Sequence, residues 1–128
     1  MLKLVCTTVA IACLSGCGGS GGGYSTSPPP GGVNTPPPTG GISVTNNAFS
    51  PAAKTVAVGT TVTWAWNSCT GDGYSGQTCV SHNVVFDDGV SSGLQDQGSY
   101  IRKFTAAGTY PYHCAVHGTA MSGSITAN

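Results

Sequence analysis

Charge is scarce in this chain. Of its 128 residues, four are lysine or arginine and four are aspartate or glutamate. Beyond residue 17, Lys54, Arg102 and Lys103 stand against Asp72, Asp87, Asp88 and Asp96, which leaves a formal charge of −1. A nucleic-acid partner requires clustered cations to neutralise phosphates, and there are none, so nucleic acid is not an expected partner. The same scarcity excludes a basic membrane-binding cluster. There is no paired-carboxylate set and no serine–histidine–acid set, so an enzyme is not expected. Asp87 and Asp88 read as turn residues. Internal repeats are lacking apart from two PPP runs. Histidine occurs three times and methionine twice, one of these being the initiator.

Long apolar runs are also missing. The opening "MLKLVCTTVAIACLSGC" has one early charge, Lys3, and an apolar stretch over residues 4–14 that is too short to span a bilayer. It has the form of a secretory signal. It ends in Leu14-Ser15-Gly16-Cys17, which resembles a bacterial lipobox: cleavage before Cys17, then acylation of that cysteine. An ordinary signal followed by an unrelated cysteine is the alternative. Two or more acyl chains anchor a protein stably, where one does not. Gly18 stands where some inner-membrane lipoproteins carry aspartate, which leans toward an outer membrane. Residues 17–40 then form a tether of Gly, Ser, Thr and Pro, too poor in apolar residues to fold. Its extended reach is on the order of 70 Å, or roughly 25–30 Å as a coil.

The folded domain is expected over residues 41–128, near the usual size of one β-sandwich. Ile42-Ser43-Val44-Thr45 alternates, as does the stretch 54–58 before Gly59. Residues 61–66, "TVTWAW", are rich in branched and aromatic side chains. Further strands are expected at 82–87, 100–105, 109–114 and 123–127, with a helical turn as the one candidate helix, near 90–96. Short strands at this spacing indicate an all-β, Greek-key sandwich or barrel. Trp64 and Trp66 read as core residues with no assigned role.

There are six cysteines. Cys6 and Cys13 fall in the signal and Cys17 at the lipidation site. In an oxidising compartment Cys69 and Cys79 can pair, which leaves Cys114 as an odd thiol. A metal would protect it. Cys114 shares a strand face with Tyr110 and Tyr112 at the rim of the core, and a tight loop then presents His117 and Met121. His82, opening "HNVVFDD", is the candidate fourth ligand. Zinc accepts thiolate and imidazole but is poorly served by thioether. Two imidazoles, one thiolate and a weak axial thioether describe a blue-copper electron-transfer site.

Three stretches, "NNAFSPAAKTVAVGTTVTWAWN", "SHNVVFDDG" and "GTYPYHCAVHGTAMSGSI", give the domain a resemblance to cupredoxins, the small blue copper proteins of the plastocyanin type. The resemblance implies one copper ion cycling between Cu(I) and Cu(II). It implies His82, Cys114 and His117 as equatorial ligands, Met121 as the axial one, and Asn83 as a tie between the His82 strand and the Cys114 loop. The insert at 68–80 is unlike plastocyanin and argues against a photosynthetic role. The expected function is single-electron shuttling by a monomer anchored at the periplasmic face of a membrane or at the cell surface. Redox proteins are expected to dock near His117, beside the small, uncharged Gly118, Thr119 and Ala120. His113 faces away from Cys114 and offers a second exit. Copper delivery or resistance, and a metal-free β-sandwich binding module, are the other readings.

Overall fold

The computed structural model describes residues 34–72 and 74–128. The signal at 1–16, the lipidation site Cys17 and the tether up to residue 33 lie outside the described residues.

Among the described residues ten strands form the fold: β1 (Ile42–Thr45), β2 (Ala48–Ser50), β3 (Ala53–Val56), β4 (Thr61–Trp66), β5 (Cys69–Asp72), β6 (Gly76–Cys79), β7 (Val85–Phe86), β8 (Ser99–Lys103), β9 (Gly108–Cys114) and β10 (Gly118–Ala127). One sheet has the order β2-β1-β4-β8 and the other β3-β10-β9-β7, with β5 and β6 as a separate hairpin. Both large sheets are mixed, since β1 runs parallel to β4 and β3 parallel to β10. The protein is an all-β sandwich.

Alternation explains the core. Ile42 and Val44 of β1, Val62 and Trp64 of β4, and Tyr112 and Cys114 of β9 all turn inward and are buried. Trp64 is the hub, with the rings of Tyr112, Phe86 and Tyr100 at 5.5, 5.6 and 5.7 Å. The first two meet it edge to face, the arrangement ring quadrupoles favour. Tyr112 packs over Gly123, its cross-strand partner on β10. A Cβ at Gly123 would come within 2.5 Å of both the Tyr112 ring and the Ala52 carbonyl, so only glycine fits there. Arg102 lies over Phe86, 4.0 Å from its centroid, and pairs with Asp88. That pairing holds the Asp88 carboxyl below its ordinary range.

The structure departs from the sequence reading in four places. First, the helical turn expected near 90–96 is absent, and no helix occurs among the described residues. That segment is a strap whose backbone is taken up elsewhere: Ser92 N–H donates to Val84 C=O (3.0 Å), and Gln95 and His82 exchange both bonds (2.9 and 3.0 Å). Second, the strand expected over 82–87 ladders onto β9 only at Val85 and Phe86, although His82, Val84 and Phe86 still point inward in alternation. Third, β2 and the β5–β6 hairpin had no strong signal. The glycine-rich "CTGDGYSGQTC", expected only as part of an insert, forms a hairpin in which Cys69 and Cys79 pair directly and are joined by a disulfide. Fourth, hydrogen-bonded structure begins before residue 41, because Thr35 N–H donates to Trp66 C=O (2.7 Å).

Candidate metal centre

The β9–β10 connection delivers three of the four candidate ligands. Cys114 ends β9 with its side chain fully buried. The next turn is closed by His117 N–H on the Cys114 carbonyl (3.1 Å), and Gly118 follows at φ 59°, a conformation glycine adopts at little cost. Cys114 and Gly118 are paired, but regular pairing resumes only at His113 and Ser122. Residues 119–121 therefore bulge, and the bulge turns Met121 inward, where it is 1% exposed in the same core cluster as Cys114. His117 is half-buried, whereas Val116, Thr119 and Ala120 are exposed.

His82 arrives from the segment before β7, which flanks β9 on the edge opposite β10, and is completely buried. Its Nδ1 lies 3.8 Å from the Cys114 Sγ, and the His117 Nδ1 lies 3.5 Å from the same sulfur. The ligand atoms of all three residues fall within 4.8 Å of one another. Bonds of about 2.0 Å to nitrogen and 2.3 Å to sulfur, radiating from one centre, place N and S roughly 3.5–3.7 Å apart. The observed spacing fits a single ion held between them. Burial, and then the neighbouring His117, push the His82 imidazole below its usual pKa, which favours the neutral form a metal requires. The His82 Nε2 is buried without a hydrogen-bond partner among the described residues.

Asn83, the residue after His82, accepts a hydrogen bond on Oδ1 from the Ala115 N–H (2.8 Å) and so ties the His82 segment to the turn after Cys114. His113 lies on the opposite face of β9 from Cys114, half-exposed, its Nδ1 3.8 Å from an Asp87 carboxylate oxygen. Sequence reasoning passed over two groups that touch His82. Gln95 exchanges backbone bonds with it, and the buried Trp66 indole N–H donates to its carbonyl (3.1 Å). The first lay hidden in a segment read as helical. The second gives no sequence signal, because a tryptophan in a strand reads as core whether or not its N–H has a partner.

A β-sandwich with a buried cysteine sulfur and two imidazole nitrogens converging at one end defines a single-ion redox protein of the cupredoxin class. The profile described as "Copper binding proteins, plastocyanin/azurin family" matches residues 40–128, and the chain belongs to that family. It is 38% identical over 92 residues to plastocyanin of Scenedesmus fuscus, across 61% of this chain and 84% of that one. To the chloroplastic plastocyanin of Tetradesmus obliquus it is 34% identical over 91 residues, across 60% of this chain and 56% of the other. The fold also resembles a purple cupredoxin from Nitrosopumilus maritimus (TM-score 0.56, 23% identity, covering 69% of this chain and 98% of that one). An oxidised amicyanin variant is similar too (TM-score 0.56, 25% identity, covering 69% and 80%). The protein is a type 1 copper electron carrier and not an enzyme.

Proposed function

We propose that this is an exported, lipid-anchored electron carrier in which His82, Cys114, His117 and Met121 hold one copper ion. The observation that carries the ligand set is the convergence of both Nδ1 atoms on the buried Cys114 sulfur, at 3.5 and 3.8 Å. Copper bound there supplies one-electron chemistry between Cu(I) and Cu(II). The chain's own residues do the rest. Cys114 offers a sulfur from which water is excluded, His82 a neutral imidazole, and Met121 a weak, soft donor from the bulge. Asn83 keeps the two ligand-bearing segments in register. Because Cys114, Met121 and His82 are held in the packed core, these side chains have little room to rearrange.

Export and anchoring rest on Leu14-Ser15-Gly16-Cys17 and the tether after it, with Cys17 as the acylated residue, residues 1–16 removed and the domain held at the periplasmic face of a membrane or at the cell surface. The Cys69–Cys79 disulfide suits an oxidising compartment. Redox proteins dock at the half-buried His117, where Val116, Thr119 and Ala120 present an uncharged, partly apolar rim. The test is to add Cu(II) to the purified protein and record its spectrum. One equivalent should produce an intense thiolate-to-copper band. A pale complex that yields copper to a weak chelator would indicate delivery, and no binding would indicate a metal-free module.

A further inference from the structure

His82 is the one proposed ligand that no hairpin positions. Its segment has just two ladder pairs with β9, both beyond it at Val85 and Phe86. Its carbonyl accepts two hydrogen bonds, from the Gln95 N–H (3.0 Å) and from the Trp66 Nε1–H (3.1 Å). Gln95 belongs to the irregular strap, whereas Trp66 ends β4, in the middle of a sheet.

The surroundings of Trp66 are tied at every step. Its own N–H donates to Gly98 C=O (2.9 Å), and its carbonyl accepts from Thr35 N–H (2.7 Å). Asn67 N–H donates to Val44 C=O (2.7 Å). The Ser68 hydroxyl donates to Val80 C=O (2.7 Å), two residues before His82. The Asn34 side chain then clasps the Cys69 peptide from both sides: its Oδ1 accepts from the Cys69 N–H (2.9 Å), and its Nδ2 donates to the Cys69 carbonyl (3.1 Å). Cys69 is in turn bonded to Cys79. The indole is therefore a fixed donor, and the His82 backbone rests against it.

We propose that Trp66 is a positioning residue for the copper site: its indole N–H, braced by β4 and the Asn34-clasped hairpin, sets where His82 stands relative to Cys114. This rests on His82 being a copper ligand. Without that N–H, the buried His82 carbonyl keeps a single donor, on the irregular strap, and the imidazole can drift from the sulfur.

The fold supplies its own control. Trp64 is equally buried and sits two residues away on the same strand, but its Nε1 makes no hydrogen bond among the described residues. Trp66→Phe and Trp64→Phe therefore remove similar bulk, and only the first removes a bond to His82. In the full chain loaded with copper, Trp66→Phe should speed copper loss to a strong chelator by roughly tenfold and shift both the blue band and the reduction potential. In the metal-free protein it should accelerate hydrogen exchange at the Gln95 amide. Trp64→Phe should leave all four readouts near wild type while losing comparable stability. If Trp66→Phe fails to fold, benzothienylalanine at position 66, with the indole's shape but sulfur in place of N–H, carries the same comparison. His82→Ala separates the two ideas. If it abolishes the blue band while the altered residue 66 changes nothing, Trp66 has no positioning role and the ligand set stands. If His82→Ala stays blue, the ligand set itself is wrong, and the inference falls with it.

Discussion

The two sides of the metal centre are built differently. Cys114, His117 and Met121 come from one continuous stretch, and their placement follows from local rules: strand alternation, a tight turn and a bulge between β9 and β10. His82 comes alone from a segment with little ladder pairing and is held by bonds from Gln95 and Trp66, while the Asn34 clasp braces Cys69 beside Trp66. A ligand on a hairpin inherits precision from the backbone. A ligand outside one needs side chains to supply it, and those side chains can lie anywhere in the sequence.

The largest effect should come from the hairpin side. Cys114→Ser should abolish the blue band altogether, because the colour requires the thiolate. An absorbance titration with Cu(II) decides it, and a variant that remained blue would remove Cys114 from the site.

The opposite side should fail by loosening. Replacing Cys69 and Cys79 together by serine opens the loop beside His82 and should lower the stability of the metal-free protein by roughly 2–3 kcal/mol, measured by urea unfolding. The blue band should persist in the double variant, since neither cysteine touches the ligand atoms. Unchanged stability would mean that Asn34 and Ser68 hold the hairpin without help from the bridge.

This asymmetry also explains what could be read from the sequence. "YHCAVHGTAM" has close spacing and a short connection, so its geometry is nearly implied by its order, and the structure gathers Cys114 and His117 at one end with Met121 buried beside them. The alternating strands around Trp64 were legible for the same reason. The hairpin at 69–79 was not, because glycines and polar residues carry no alternation and the pairing depends on the disulfide and on contacts from residue 34. The strap at 90–96 was misread as helical because its fate is set by the backbone groups of 82–86, which lie elsewhere in the chain. Trp66 was found as core but not as a donor, since burial and hydrogen bonding leave the same mark on the sequence.

Met121 offers a finer cut through the hairpin side. A weak axial donor tunes a copper site more than it retains the metal. Met121→Gln should keep one equivalent of copper and lower the reduction potential, which voltammetry would show. Loss of copper instead would make Met121 as much a holding ligand as the histidines.

Tyr112 tests the hairpin side through pH. Burial pushes its phenol up to about 12, and the Trp64 indole N–H, close by but outside hydrogen-bonding geometry, offsets only part of that. The ordinary value is 10.0, so the folded state favours the neutral phenol. The associated stability is intact below about pH 10 and is lost as pH rises through about 12. Burial also raises Tyr100, which acts in the same direction. Tyr112→Phe should flatten part of the loss between about pH 10 and 12. At pH 7 it should leave stability unchanged or raise it by up to about 1 kcal/mol, since the hydroxyl it removes is buried without a partner among the described residues. Denaturant unfolding at several pH values checks both, and an undiminished alkaline loss in the variant would clear Tyr112 of responsibility.

The smallest effect concerns the outer surface of the two sides. Around His117 the exposed residues Val116, Thr119 and Ala120 carry no charge. The charges on and near β7 are opposed: Asp88 pairs with Arg102, and Asp87 lies 3.8 Å from His113. Long-range steering needs a concentrated field of one sign, and salt screens whatever field there is. If electrons leave through His117, the self-exchange or partner-exchange rate should change by less than about threefold between low and physiological ionic strength. Ala120→Lys should perturb that rate and give it a salt dependence, whereas His113→Ala should leave it unaltered. A steep dependence in the wild-type protein, or a loss with His113→Ala and none with Ala120→Lys, would move the exit to the His113 face. The docking surface would then follow the His113–Asp87 pair on the flank of β9 rather than the uncharged tip of the ligand loop.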